Sequence, residues 1–191
     1  MHKGRLEAFS DGVIAILITI MVLELKVPHS DSLTGLAPML PVLSSYLLSF
    51  VFLGIYWNNH HHLLQAARHV DGRILWANMH LLFWLSLVPF TTAWLGEHPF
   101  MPGPVAAYGF VLLAAGCAYF VLSRLLIARH GAESVLARAV GADRKGLVSL
   151  ALYAAGIGLA FVVPQAACAL YVAVAVLWLV PDRRIERVLS E

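Results

Sequence analysis

Arg5-Leu6-Glu7-Ala8-Phe9-Ser10-Asp11-Gly12 runs without a break into Val13-Ile14-Ala15-Ile16-Leu17-Ile18-Thr19-Ile20-Met21-Val22-Leu23. The second half reads as a membrane-spanning helix, and the first half puts an arginine, a serine and an aspartate at its mouth. Ionisable groups inside a bilayer cost roughly 2.5–3.5 kcal/mol each on insertion scales, so by default they mark a functional site. What surrounds this stretch decides which kind of site it is.

The rest of the chain repeats the apolar half of the pattern. Its 191 residues are 60% hydrophobic and 13% charged, with a mean hydropathy of +0.79. A soluble domain of this size rarely has such a composition. The excess falls into six blocks, at 6–26, 40–64, 73–95, 104–128, 146–163 and 165–181. Most are close to the roughly 20 residues that a helix needs to cross a hydrocarbon core. The last two are shorter and meet at the tight turn Pro164-Gln165. The first block is too long for a secretory signal peptide and lacks a small-residue cleavage pattern. The expectation is an all-α, polytopic subunit in which residues 1–191 form one six-span domain.

Charge placement gives an orientation. Lys3 and Arg5, Arg68 and Arg73, the basic residues from Arg124 to Lys145, and Arg183, Arg184 and Arg187 all fall on one side of the six-span scheme. Only Lys26 falls on the other. The positive-inside rule then predicts a multi-pass protein of the plasma membrane with both termini cytoplasmic. Because the basic residues flank spans instead of forming one patch, nucleic acid is not an expected partner. Cys117 and Cys168 lie within apolar spans without paired-ligand spacing, which argues against a zinc or iron–sulfur site. The polar segment 129–145 is the longest connection, with a short interfacial helix predicted around 132–140.

Helical geometry sorts the first span. At about 100° per residue, Ile16, Ile20 and Leu23 share a stripe with Thr19 beside it, and Gly12, Phe9 and Arg5 continue it. Asp11 lies about 140° from Ile16 on the same wheel. Stripes of this kind are ordinarily packing surfaces, but the polar entry sets this one apart.

Asp11 needs a partner, and Glu7 carries the same sign. At similar depth the second span offers His60 and His61, and the third offers Asn78 and His80. Buried polar groups in lipid must satisfy one another. The expected network therefore joins Arg5, Ser10 and Asp11 to His60 or His61 and to Asn78 or His80, and its role is to set how the first helix packs.

The run Trp57-Asn58-Asn59-His60-His61-His62 invites a metal reading. Consecutive helical residues diverge by about 100°, whereas helical metal sites use i,i+3 or i,i+4 spacing. A satisfied polar network accounts for these histidines better, and neither a metal nor a cofactor is expected. The chain also has no His-Glu-x-x-His and no Gly-x-Ser-x-Gly, so an enzyme is not expected.

These residues carry a resemblance. Arg5-x-x-x-Phe9-Ser10-Asp11 is similar to the Arg-x-x-x-Phe-Ser-Asp signature of the endosomal/lysosomal potassium channel family and its bacterial homologues. The similarity extends through Ile55-Tyr56-Trp57-Asn58-Asn59-His60-His61-His62-Leu63, Trp76-Ala77-Asn78-Met79-His80-Leu81-Leu82-Phe83, Leu87-Val88-Pro89-Phe90-Thr91 and Asp182-Arg183-Arg184-Ile185-Glu186-Arg187.

The resemblance implies a single-repeat subunit that assembles as a homotetramer and passes potassium ions, the first helix of each copy lining the pore. By the same carry-over Ile16 forms the narrowest ring, Ile20 and Leu23 extend the apolar layer, and Thr19 supplies the hydroxyl linked to selectivity. Arg5, Ser10 and Asp11 then belong to the inter-helix network. Such a pore is a hydrophobic gate, and an apolar ring does not itself attract potassium, so the expected preference is modest. Glu24, near the outer mouth, is placed to concentrate cations. The rival expectation is a proton-coupled secondary transporter with Asp11 and His60 or His61 as a relay. A carrier usually shows broken helices at the midplane, and here Pro89 is the main proline inside a span.

Overall fold

Prolines and aspartates set most of the helix starts in the computed structural model, which describes residues 3–28, 31–131, 134, 137 and 143–179. Helix α1 spans Lys3–Leu23 and contains no proline. A 3-10 helix, Leu33–Met39, is capped by the Ser32 hydroxyl, which accepts from the Thr34 N–H at 3.3 Å. It leads into α2, Leu40–Ala66, whose first turn holds Pro41. There a missing N–H costs nothing and the fixed φ suits the helix. The Asp71 carboxylate opens α3, Gly72–Ser86, by accepting from the Arg73 and Ile74 N–H groups at 3.0 and 3.1 Å. Such a cap also places negative charge on the positive end of the helix dipole.

The third apolar block does not run through as one helix. It breaks at Leu87 and resumes as α4, Val88–Glu97. Pro89 has no N–H to offer the carbonyl four residues back, and its ring crowds that carbonyl. Helix α5, Pro102–His130, is the longest and ends at Gly131, where φ is +90° and only glycine is at ease. Helices α6, Arg144–Leu159, and α7, Pro164–Leu179, complete the described elements, all of which are helical. Asp143 caps α6 through the Gly146 N–H at 3.2 Å. Burial raises its carboxyl above the usual range, against the pull of that N–H and of Arg124. The segment around 132–140, apart from residues 134 and 137, and the C-terminal Asp182–Arg187 motif lie outside the described residues.

By length and apolarity, α1, the 33–66 stretch, the α3–α4 stretch and α5 are each able to cross a membrane, whereas α7 is shorter. Helix α5 is buried on two faces. Ala115, Ala118, Leu122 and Leu126 pack with α1, α2 and α3. Tyr108 and Leu112 pack with Tyr153 of α6 and Tyr171 of α7. Gly109 makes the second contact possible, since a Cβ there would collide with the Tyr171 ring and hydroxyl. Small residues are what bring helices together in lipid, where apolar burial alone gives no driving force. The hydroxyls inside this core are engaged. Ser49 Oγ lies 2.9 Å from the Tyr108 hydroxyl, Thr92 Oγ1 donates to Ser49 Oγ at 2.6 Å, and the Tyr171 hydroxyl donates to the Val105 carbonyl at 3.3 Å.

Candidate functional site

Helix α1 presents three faces, each with different chemistry. The first is zipped to α2. Lys3 Nζ donates to the Gln65 carbonyl at 3.2 Å, His61 Nδ1 lies 3.1 Å from Glu7 Oε1, and Trp57 Nε1 donates to Asp11 Oδ1 at 3.0 Å. The two helices run antiparallel, so steps of four up α1 match steps of four down α2. Residues four apart share a helix face, and each turn therefore contributes one polar rung. The Trp57 and His61 rings stack with centroids 6.0 Å apart, which holds the two α2 rungs in line.

The second face is buried. Asn78 Nδ2 on α3 donates to Ser10 Oγ at 2.9 Å, and Ser10 in turn donates to the Leu6 carbonyl at 2.9 Å. His60 Nε2 on α2 lies 2.7 Å from Asn78 Oδ1. An amide oxygen only accepts, so Nε2 holds the proton and Nδ1 is bare. That Nδ1, like the Nδ1 of His62, is buried without a hydrogen-bond partner among the described residues. Ser10, His60 and Asn78 are completely buried, and this one chain of bonds ties α1, α2 and α3 together.

The third face is apolar and open. Ile14, Leu17 and Met21 are packed inside the subunit, while Ile16 is 58% exposed, Leu23 is 77% exposed and Phe9, Thr19 and Ile20 are exposed beside them. Thr19 Oγ1 donates its only proton to the Ala15 carbonyl at 2.9 Å. The outward side of that oxygen therefore offers lone pairs only.

Of the residues singled out in the sequence, the structure thus brings Ser10, His60 and Asn78 together. It places Asp11 against Trp57 and His61 against Glu7. His80 accepts from Trp84 Nε1 at 2.8 Å, one turn along its own helix. Arg5 is exposed, with no hydrogen bond or ion pair among the described residues. Two participants were missed. In the sequence Glu7 stands as a like-charged neighbour of Asp11, and Trp57 heads the histidine run and falls within the family resemblance. The matched pairs Glu7/Asp11 and Trp57/His61, each four apart, were the available signal. Among the described residues no three His, Cys, Asp or Glu side chains converge in a way that would hold a metal ion.

Buried polar bonds linking three long apolar helices define a multi-pass membrane protein, and comparison with known proteins gives its family. The family model for the endosomal/lysosomal potassium channel TMEM175 matches residues 5–89. A potassium channel of Chryseobacterium sp. (strain P1-3) is 51% identical over 191 residues, covering 100% of both chains. A potassium channel of Chamaesiphon minutus is 35% identical over 152 residues, covering 75% of this chain and 72% of that one. A crystal structure of a lysosomal potassium-selective channel TMEM175 homologue from Chamaesiphon minutus superimposes with a TM-score of 0.78. It is 28% identical and covers 92% of this chain and 95% of its own. The chain belongs to the TMEM175 family, and these relatives are named as channels, not enzymes.

Proposed function

We propose that four copies of this chain form a potassium-permeable cation channel whose constriction is built from α1 of each copy. The observation that carries this reading is the division of α1 into a packed face and an open apolar one. A stripe containing Ile16, Ile20 and Leu23 that its own subunit leaves uncovered is suited to facing its copies around an axis. The names of the full-length and structural relatives point to the same activity.

In this reading the Ile16 ring is narrowest, and Ile20 and Leu23 lengthen the apolar layer. Apolar rings of this kind gate by dewetting and admit cations when the helices splay. Thr19 supplies the selectivity element, because its oxygen, with the proton already committed to Ala15, faces outward as an acceptor suited to a partly dehydrated cation. Asp11, Ser10, His60, His61 and Asn78 serve the placement of the helix, whereas Arg5 and His80 make no bond to another helix among the described residues. The subunit crosses the plasma membrane six times, α6 and α7 being the short pair, with both termini cytoplasmic.

Single-channel recording of the purified protein under potassium/sodium bi-ionic conditions tests the proposal. Ohmic currents with a modest potassium preference and no need for a co-ion gradient are expected. Currents that vanish without a proton gradient, or that saturate at carrier-like turnover, would overturn it in favour of a proton-coupled transporter.

A further inference from the structure

A cavity of about 480 Å³ lies between the C-terminal end of α1, the start of α2 and helix α4. That volume is within the range of roughly 300–1,000 Å³ that accommodates small-molecule ligands. Its walls are apolar, with Met21 and Leu25 on one side and Val42, Tyr46, Pro89 and Ala93 on the others. Two of the three wall hydroxyls, those of Ser45 and Thr92, are occupied, and the third belongs to Tyr46. Ser45 donates to the Val42 carbonyl at 2.9 Å, and Thr92 Oγ1 lies 2.7 Å from the Val88 carbonyl and 2.6 Å from Ser49 Oγ. The interior therefore suits a hydrocarbon body.

The rim is charged. Glu24, Lys26 and Glu97 stand on it, with Lys26 Nζ 3.5 Å from Glu97 Oε1. That pair leaves the Glu24 carboxylate as the charge with no hydrogen bond or ion pair among the described residues.

We propose that this cavity binds amphiphilic ammonium compounds, the hydrocarbon chain inside and the ammonium group against Glu24. A neutral amphiphile would gain only the apolar contacts, and an anionic one would meet a rim whose net charge is negative. Because Met21 and Glu24 are at the end of α1, an occupant braces that end against α4. The inference concerns binding and stands apart from the channel reading, since binding is measured here without any current.

The test uses the assembled protein in phosphatidylcholine vesicles and follows its thermal unfolding midpoint with increasing decylammonium, decanol or decyl sulfate. A ligand that binds only the folded protein raises the midpoint saturably. The expected order is decylammonium above decanol, with no saturable effect of decyl sulfate. Glu24→Gln should weaken decylammonium several-fold and leave decanol unchanged, and Ala93→Trp, which fills the cavity, should abolish both responses. An equal response to decyl sulfate, or a decylammonium response that survives Ala93→Trp, overturns the proposal. Should Ala93→Trp fail to assemble, the exposed Glu24→Gln variant decides alone, and unaltered decylammonium affinity there overturns it too.

Discussion

Asn78 satisfies a donor and an acceptor at once, on two different helices, and no apolar side chain of its size can do so. Asn78→Leu would keep the branched shape but leave the His60 N–H unpaired and the Ser10 oxygen one donor short, at a fully buried position. Stranding buried polar groups costs about 1–3 kcal/mol, and a lowered unfolding midpoint of the purified protein is the expected result. Ile16 is the opposite case, a residue whose expected effect is on permeation. Ile16→Asn should wet the proposed constriction and raise conductance or weaken potassium preference in bilayer recordings. Unchanged permeation in Ile16→Asn, together with loss of permeation in an assembled Asp11→Asn variant, would place the pathway elsewhere. Both residues were singled out from the sequence, by depth for Asn78 and by helical spacing with family resemblance for Ile16. The bond partners were less legible, because depth matching says which turns are level but not which faces meet.

At the level of elements, the last turn of α5 holds the connection between α2 and α3. His130 Nδ1 lies 2.8 Å from the Leu126 carbonyl and so carries its proton, leaving Nε2 to accept from the Arg68 and His69 N–H groups at 2.9 and 3.1 Å. Arg129 Nε lies 3.6 Å from Asp71 Oδ2, and the His69 ring stacks over that of His130. His130→Ala should therefore accelerate amide hydrogen exchange at Arg68 and His69 by about tenfold, the equivalent of 1.4 kcal/mol of local opening. His130→Gln, which keeps an acceptor near the same point, should restore much of the protection. None of this could be read from sequence, since it depends on bringing together residues some 60 positions apart. The break at Leu87 had a visible cause in Pro89, and the wheel could not say whether a proline there bends a helix or divides it.

For the molecule as a whole, the all-helical class was legible because apolar blocks near membrane length leave few other ways to satisfy the backbone. The double burial of α5 was not, because a helix apolar on every side gives no sign of which face meets which neighbour. The proposed four-copy assembly makes its own prediction. Copies that meet across the α1 stripe should form disulfide-linked dimers in an oxidised Ile20→Cys variant, read by mass on a denaturing gel. Leu17→Cys should not, since Leu17 is packed inside its own subunit. Equal cross-linking at both positions would remove α1 from the interface.

The polar rungs between α1 and α2 occupy only the first three turns, from Lys3 to Asp11, and beyond them Ile14, Leu17 and Met21 hold the helix by apolar contact alone. Mechanically, the polar rungs make the root of α1 its fixed end, as in a cantilever. A small tilt would swing Leu23 through a wide arc, Ile16 through a narrower one and Asp11 hardly at all. If the proposed rings exist, widening them requires no rung to break, and the stiffness of the root, not the strength of any bond near the ring, would set the work of opening.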